Sequence, residues 1–381
     1  MKKYRYVYEL NDRNKLIPVT DTSNCNNREL FTGNTLFLDI ETTGFQRTST
    51  FLTIIGLAWQ EDDRIVIEQW LNDTGQQEEP LLLLELEGFM KNFHGELPKL
   101  IHYNGTTFDL PYLKTKYEQY HLPTSLSNCE SLDLYHFSKK YRKLLSLDGL
   151  KQKNLEECFG LFREDTLSGQ ELINVYLNGI RNKDQQLLDA YLLHNKEDME
   201  GMVFLQNLLR IDQLFEGNFE ISKWLAQADN HCTLIQLTGD FYFYKQICIS
   251  SEQIQVTFEN HSVWIRIPIC HVEARFFHEN YKDYYYLPAE DCAMHKSVAE
   301  YVEKEYRIKA TKETCYTKKR GDFLPLPLPS SSRLRKNIVK DCCILSLFYL
   351  CYGDCTAYVS KDISEEGKQK LYLKYLLQSF I

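Results

Sequence analysis

None of the 12 cysteines forms a Cys-x-x-Cys pair, and neither Cys342-Cys343 nor Cys351 with Cys355 fits a standard zinc-binding spacing. No apolar run is long enough to cross a bilayer; the longest, Ile344 to Tyr352, falls far short of the ~20 residues a spanning helix needs. Positive charge is not in surplus, since 44 Lys and Arg face 53 Asp and Glu for a net −9. A protein that grips nucleic acid mainly by neutralising phosphates is usually basic, so any such role must rest on a local patch or a metal centre. Met1-Lys2-Lys3-Tyr4-Arg5 runs into polar sequence rather than the apolar core of a secretory leader. With scattered thiols, this predicts a cytoplasmic protein with reduced cysteines and no membrane contact. No internal repeat is visible.

What is present is ordinary globular material. At 381 residues the chain suits two domains, and its 43% apolar and 25% charged residues are typical of a globular protein. The 25 Tyr and 21 Phe can fill well-packed cores.

Residues 1–30 are polar and weakly patterned, which predicts an N-terminal arm. Leu36 to Ile40 reads as a first strand, Leu52 to Trp59 as a second and Arg64 to Trp70 as a third. Glu61-Asp62-Asp63 marks a hairpin turn between the last two. Glu78 to Phe93 reads as a helix with Pro80 in its first turn. Lys99 to Tyr103 reads as a short strand, Asp109 to Tyr120 as a helix and Ser131 to Tyr135 as a fifth strand. Asn154 to Phe159, Ser168 to Leu177 and Lys183 to Leu209 read as helices, split by Gly160 and Gly179. A hairpin feeding βαβ units predicts an α/β domain over residues 31–212, with a mixed five-stranded sheet flanked by helices. Residues 213–381 read as a smaller α+β domain. Its strands fall at Phe241 to Tyr244, Ile254 to Phe258 and Val263 to Ile267, with a helix at Ser297 to Tyr306. Leu324 to about Cys355 reads as a proline-rich linker with a hydrophobic helix.

Three acidic stations stand out. In Phe37-Leu38-Asp39-Ile40-Glu41-Thr42-Thr43-Gly44, Asp39 and Glu41 are two apart on a strand and so project from one face. Burying two such carboxylates costs several kcal/mol unless a cation sits between them, and hard divalent ions favour oxygen donors. Alternatively the segment is only a strand ending in an acidic turn. Asp109 follows Asn104-Gly105-Thr106-Thr107-Phe108 at a helix start, where a capping role worth roughly 1 kcal/mol is the plain reading. It is also the carboxyl end of a strand, where α/β sites are built. His194 and Asp198 are i and i+4 on a long helix and share a face. The polar neighbours Asn195, Lys196 and Glu197 favour a solvated surface there.

Taken in order, these motifs resemble the DEDD 3′–5′ exonucleases of the ribonuclease H-like fold. The segment from Asn104 to Leu113 is similar to the proofreading domains of family B DNA polymerases, and the wider pattern over about residues 34–210 resembles the bacterial YprB-type ribonuclease H-like proteins. The resemblance implies a ribonuclease H-like fold and two divalent ions, Mg²⁺ or Mn²⁺, held by Asp39, Glu41, Asp109 and Asp198. It implies cleavage of single-stranded DNA or RNA, with His194 accepting a proton from water. It also implies that Thr42 and Thr43 seat the terminal ribose, and that Asn104 and Phe108 lie against the substrate, with Phe45 a second stacking surface. One departure stands out: the usual tyrosine four residues before the last aspartate is His194 here. Tyr191, on the same helix, is an alternative. A run of Lys304, Arg307, Lys309, Lys312, Lys318, Lys319, Arg320, Arg333, Arg335 and Lys336 gives the C-terminal domain a candidate grip on nucleic acid, or else a solvated face. That domain is also the candidate surface for a protein partner. A binding module that no longer cleaves is the competing reading.

Overall fold

Seven strands form the sheet that carries the first two stations. They are β1 (Lys2–Leu10), β2 (Leu16–Pro18), β3 (Thr35–Thr42), β4 (Leu52–Glu61), β5 (Arg64–Leu71), β6 (Lys99–His102) and β7 (Ser131–Asp133). Their order across the sheet is β2-β1-β5-β4-β3-β6-β7, with β3, β6 and β7 parallel and the remaining pairings antiparallel. The computed structural model describes residues 1–10, 16–18, 34–93, 96–227, 231–251, 254–329, 335–338 and 345–381. They divide into two units, Met1–Arg210 and Ile211–Ile381.

The five expected strands are all present, and the N-terminal segment adds two. Lys2–Leu10 was expected as part of an arm; instead it pairs along β5 from Lys2↔Leu71 to Tyr8↔Ile65. Its charges hid it. Lys3 pairs with Glu85 at 2.5 Å, Arg5 pairs with Glu61 at 2.5 Å, and Tyr8 is buried with its hydroxyl 2.5 Å from Glu200. A strand whose polar side chains find partners across the sheet shows little hydrophobic period. Most of the remainder of residues 1–30 lies outside the described residues.

Alternation in β3 sets the two sides of the sheet. Leu36, Leu38 and Ile40 pack against Leu82, Leu83, Leu86 and Met90 of α1 (Glu79–Lys91) and Tyr112, Leu113 and Tyr117 of α2 (Asp109–Gln119). The opposite face, with Ile54 and Leu71, packs against Leu172 and Tyr176 and against Leu188, Tyr191 and Leu192. These belong to the long helices covering that side. After α3 (Leu134–Tyr141) and α4 (Gln152–Cys158) come α5 (Gly169–Asn182), α6 (Gln185–Leu205) and α7 (Asn207–Phe215). Asp39 and Glu41, being odd-numbered in β3, therefore face α6. The unit is a mixed sheet between two helical layers.

The second unit is β-rich. Strands β8 (Glu220–Gln227), β9 (Cys232–Ser251) and β10 (Ile254–Pro268) form one meander, and the three expected strands lie within β9 and β10. β11 (Cys270–Phe277), β12 (Tyr284–Leu287), β13 (Cys292–His295), β14 (Ile308–Lys309), β15 (Tyr316–Pro327) and β16 (Thr356–Ser360) make two further three-stranded sheets. Where one helix from Ser297 to Tyr306 was expected, a short α8 (Lys296–Ala299) and a separate 3₁₀ turn at Lys304–Tyr306 form. Ala299 is buried, but Val298 and, just beyond the helix, Tyr301 are exposed, so little apolar surface supports a longer helix. A longer helix, α9 (Glu366–Gln378), follows near the C-terminus.

The proline-rich segment is also not a linker at its start. Leu324 to Pro327 completes β15, pairing with β16, while the pairing of β15 to β11 stops at Phe323. Pro325 and Pro327 are two apart, so both missing N–H groups fall on one side of the strand, the side tolerated at an edge. Residues 330–334 and 339–344 lie outside the described residues, and the hydrophobic helix expected there falls partly on them.

Candidate metal centre

Strand β3 presents Asp39 and Glu41, and α6 presents His194, Asn195 and Asp198 to the same cleft. Ligand atoms of Glu41, His194 and Asp198 all lie within 4.8 Å of one another, a grouping able to hold a metal ion. His194 Nε2 is 3.7 Å from Glu41 Oε1 and 3.2 Å from Asp198 Oδ2. Asp39 Oδ2 accepts a 2.8 Å hydrogen bond from Asn195 Nδ2, and Asn195 Oδ1 accepts one of 2.7 Å from Gln69 Nε2. Asn195 and Gln69 are fully buried, so this amide relay ties α6 to the sheet at Asp39.

Gly56 makes that approach possible. It is the cross-strand partner of Asp39, and a Cβ there would lie 2.6 Å from Asn195 Oδ1 and 2.9 Å from Met199 Sδ. Any side chain at 56 would displace the Asn195 amide that holds Asp39, or the Met199 thioether.

Asp109 is buried but does not cap α2; the cap position is Phe108, and Asp109 Oδ1 instead accepts the Ile40 N–H at 3.1 Å. The expected capping role is thus replaced by a tie to β3. Asp109 joins Asp39 electrostatically: each carboxylate of the cleft raises the proton affinity of its neighbours. Burial, reinforced by Asp109, Asp198 and Glu41, pushes Asp39 well above the usual carboxylate range. Burial raises Glu41 to about 8 despite the opposing His194, and raises Asp109 to about 7 against its hydrogen bond to Ile40. Burial alone would lower His194, but Asp198, Glu41 and the hydrogen bond to Asp165 outweigh it and raise it. Carboxylates held this close without a cation must keep protons. A hard divalent ion would take the place of those protons, so the carboxylate oxygens of the cleft fit a divalent cation.

The other sequence-predicted residues have identifiable work. The Thr42 hydroxyl donates to Gly44 O at 2.8 Å, and Thr43 exchanges hydrogen bonds with Phe51. These bonds close the turn after Glu41. Asn104 adopts a left-handed φ of 60°, donates its N–H to Asp133 Oδ1 at 2.7 Å and accepts from the Thr107 hydroxyl at 2.9 Å. Phe108 is half-buried between Tyr112 and the exposed Phe45, with centroids 5.6 and 5.8 Å apart. Tyr191 is not the alternative to His194: it is fully buried, and its hydroxyl meets Thr53 Oγ1 at 2.6 Å.

Sequence reasoning missed the residues that support the helix side. Asn195 and Glu197 had suggested a solvated surface, yet both are buried. Glu197 accepts the N–H groups of Glu164 and Asp165 at 2.7 and 2.9 Å. Arg163 donates from Nη1 to Asp198 Oδ1 at 2.7 Å and makes two bonds of 2.5 and 2.6 Å to Glu156. A second omission is basic. Lys139, Lys140, Arg142 and Lys143 are exposed around a concave surface of about 480 Å³ at the end of α3. In the C-terminal run, Lys318 is paired with Asp291 at 3.3 Å, Arg307 lies over Tyr285, and Arg333 is outside the described residues.

With this geometry in place, similarity to known proteins becomes informative. Residues 36–210 match the family model of the RNase_H superfamily. This segment is ribonuclease H-like. The ribonuclease H-like segment is 27% identical over 176 residues to the uncharacterized protein YprB of Bacillus subtilis (strain 168), covering 45% of the present chain and 41% of that relative. The chain therefore spans well under half the length of the curated relative it matches. Among solved structures, the family B DNA polymerase of Pyrobaculum calidifontis is 14% identical, with a TM-score of 0.38 over 48% of this chain and 25% of its own. A structure described as the apo form of a nuclease is 16% identical, with a TM-score of 0.25 over 50% of this chain and 89% of its own. No helix among the described residues is long and apolar enough to cross a membrane.

Proposed function

We propose that this protein is a metal-dependent 3′–5′ exonuclease that hydrolyses phosphodiester bonds of single-stranded DNA or RNA, using two divalent ions, Mg²⁺ or Mn²⁺. The observation that carries the reading is the convergence of Glu41, His194 and Asp198 within 4.8 Å, beside the raised carboxylates of Asp39 and Asp109. Asp39, Glu41, Asp109 and Asp198 would hold the ions. Bound, the ions supply positive charge that activates a water and stabilises the leaving 3′ oxygen. His194 Nε2, aimed into the cleft, takes the water proton. The terminal nucleotide is assigned to the turn at Thr42 and Thr43 and to the Asn104–Phe108 loop. Phosphate grip is assigned to Lys139, Lys140, Arg142 and Lys143. A docking role for substrate or a protein partner is assigned to the C-terminal unit.

Purified protein is expected to shorten 5′-labelled single strands in Mn²⁺ or Mg²⁺ and to stop in EDTA. Asp39→Ala abolishes the shortening. Equal cleavage in EDTA, or by Asp39→Ala, removes the assignment. Matched DNA and RNA oligomers digested side by side settle the sugar preference. One observation favours a second reading, a nucleic-acid-binding module that does not cleave: Arg163 already neutralises one oxygen of Asp198. Under that reading single strands bind equally well with and without divalent ions, and their length never changes.

A further inference from the structure

The C-terminal unit carries a concave site of its own. A cavity of about 680 Å³ opens beside the end of β11, and among the described residues six rings line it: Phe276, Phe277, His278, Tyr284, Tyr349 and Tyr352. None of the six is fully buried, and Tyr352 is half exposed. Backbone contacts set the walls. Arg275 and Tyr349 exchange hydrogen bonds of 2.7 and 2.8 Å, which holds segment 347–353 against β11. Gly353, with a φ of 86°, turns that segment, and just beyond it Arg335 Nη2 donates to Asp354 O at 2.9 Å. Phe277 meets Tyr349 and Tyr352 edge-on, with centroids 6.2 and 5.4 Å apart, and His278 stacks on Tyr284 at 4.7 Å with 12° between the planes. A close-packed interior leaves no void of that size, and rings clustered at a surface mark a binding site.

The lining chemistry selects the occupant. Lys312 and Arg335, both from the basic run, line the cavity against one carboxylate, Glu279. Leu347 is the one aliphatic side chain among the described lining residues. An apolar peptide would meet the rings but leave the excess positive charge unanswered. A nucleotide answers both features: its base has a flat face to stack on whatever its identity, and its phosphates pair with lysine and arginine. We propose that this cavity takes a base of single-stranded nucleic acid, stacked against Tyr352 and Phe277, with the adjoining phosphates facing Lys312 and Arg335. The proposal deepens the nuclease reading by naming how the C-terminal unit holds the strand, and it rests on that reading only for its use in cleavage, since the grip itself needs no metal.

The test measures binding of a short fluorescein-labelled single strand to the full chain in EDTA, beside the same strand built with abasic sugars. Tyr352→Ala is expected to weaken the base-bearing strand about 5- to 100-fold, the range for losing one stacked base, and to leave the abasic strand within about twofold. Tyr352→Phe keeps the ring and should keep the affinity. Lys312→Ala should weaken both strands alike and lower the salt slope by about 0.7. Unchanged binding of the base-bearing strand by Tyr352→Ala overturns the proposal and returns the cavity to a protein partner. A dimer in wild type that Tyr352→Ala dissolves, with strand binding unmoved, makes the occupant a second copy and overturns it too. Wild type alone supplies a further check: a 5-bromouracil strand, irradiated in the complex, should crosslink to peptides holding residues 276–284 or 347–353, and crosslinks found only elsewhere overturn the proposal. Strand binding that behaves as expected without cleavage in Mn²⁺ removes the nuclease reading and leaves the base site standing; cleavage with Tyr352→Ala binding unchanged does the reverse.

Discussion

The two sides of the cleft handle negative charge differently. On the helix side, Asp198 faces Arg163, which is itself gripped by Glu156, so charge is balanced within the protein. On the strand side, Asp39 is met by the neutral amide of Asn195 and Asp109 by a backbone N–H. No described lysine or arginine pairs with either. Under the proposed metal-dependent reading, the uncompensated charge that a cation would answer therefore sits on β3 and at the start of α2.

Breaking the balanced side should have the largest effect. Arg163 and Glu156 are almost completely buried, and removing one partner of a buried ion pair costs about 3–5 kcal/mol. Arg163→Leu is expected to lose that much in urea unfolding. A loss below about 1 kcal/mol would show that the pair is not stabilising in solution.

The unbalanced side should respond in the opposite sense. Asp39→Asn removes an uncompensated carboxylate and keeps an acceptor for Asn195. Its Tm in EDTA should rise, while cleavage in Mn²⁺ falls by about 10²–10³-fold, a loss of several kcal/mol in transition-state charge stabilisation. A variant that loses both stability and activity would mean that the wild-type carboxylate is already compensated.

pH sharpens the same contrast. Glu41 is raised to about 8 and Asp109 to about 7, and Asp39 and His194 are also raised. From about pH 4.5 to 8 these four groups hold more protons in the folded protein than in the unfolded chain, so their contribution to stability falls as pH rises through that window. Metal-free protein should lose stability steadily between pH 5 and 8, and saturating Mn²⁺ should flatten the decline. Chemical denaturation at several pH values, with and without the ion, measures both curves. The smallest effect is expected away from the cleft: Lys139→Glu with Lys143→Glu should reduce the salt slope of single-strand binding by about 0.7 per lost phosphate contact, measured in EDTA. An unchanged slope would place the phosphate path elsewhere.

The strand side was legible in the sequence because its signals are local. Alternation put Asp39 and Glu41 on one face, and the turn at Asn104-Gly105 put Asp109 at a helix start. The i, i+4 spacing aligned His194 with Asp198. The helix side's supports were not legible, because their meaning depends on contacts across the chain. Glu197 is a buried acceptor only because residues 164 and 165 return to it, and Asn195 matters only because Gly56 and Gln69 lie opposite. Polar residues around a helix look solvated until the loop that covers them is known. The N-terminal strand was hidden for a related reason, its charges being matched by Glu61 and Glu85 more than fifty residues away.

Gly56 sets a mechanical limit on the cleft. Its bare backbone lets the helix bearing His194 settle against the strand bearing Asp39, so the gap between them is gauged by a single absent methyl. Exchanging glycine for alanine there should displace the Asn195 amide and so disturb the hold on Asp39 without adding any charge. If the proposed ions bind there, the fit of the site to a cation would be tuned from a position outside the donor set.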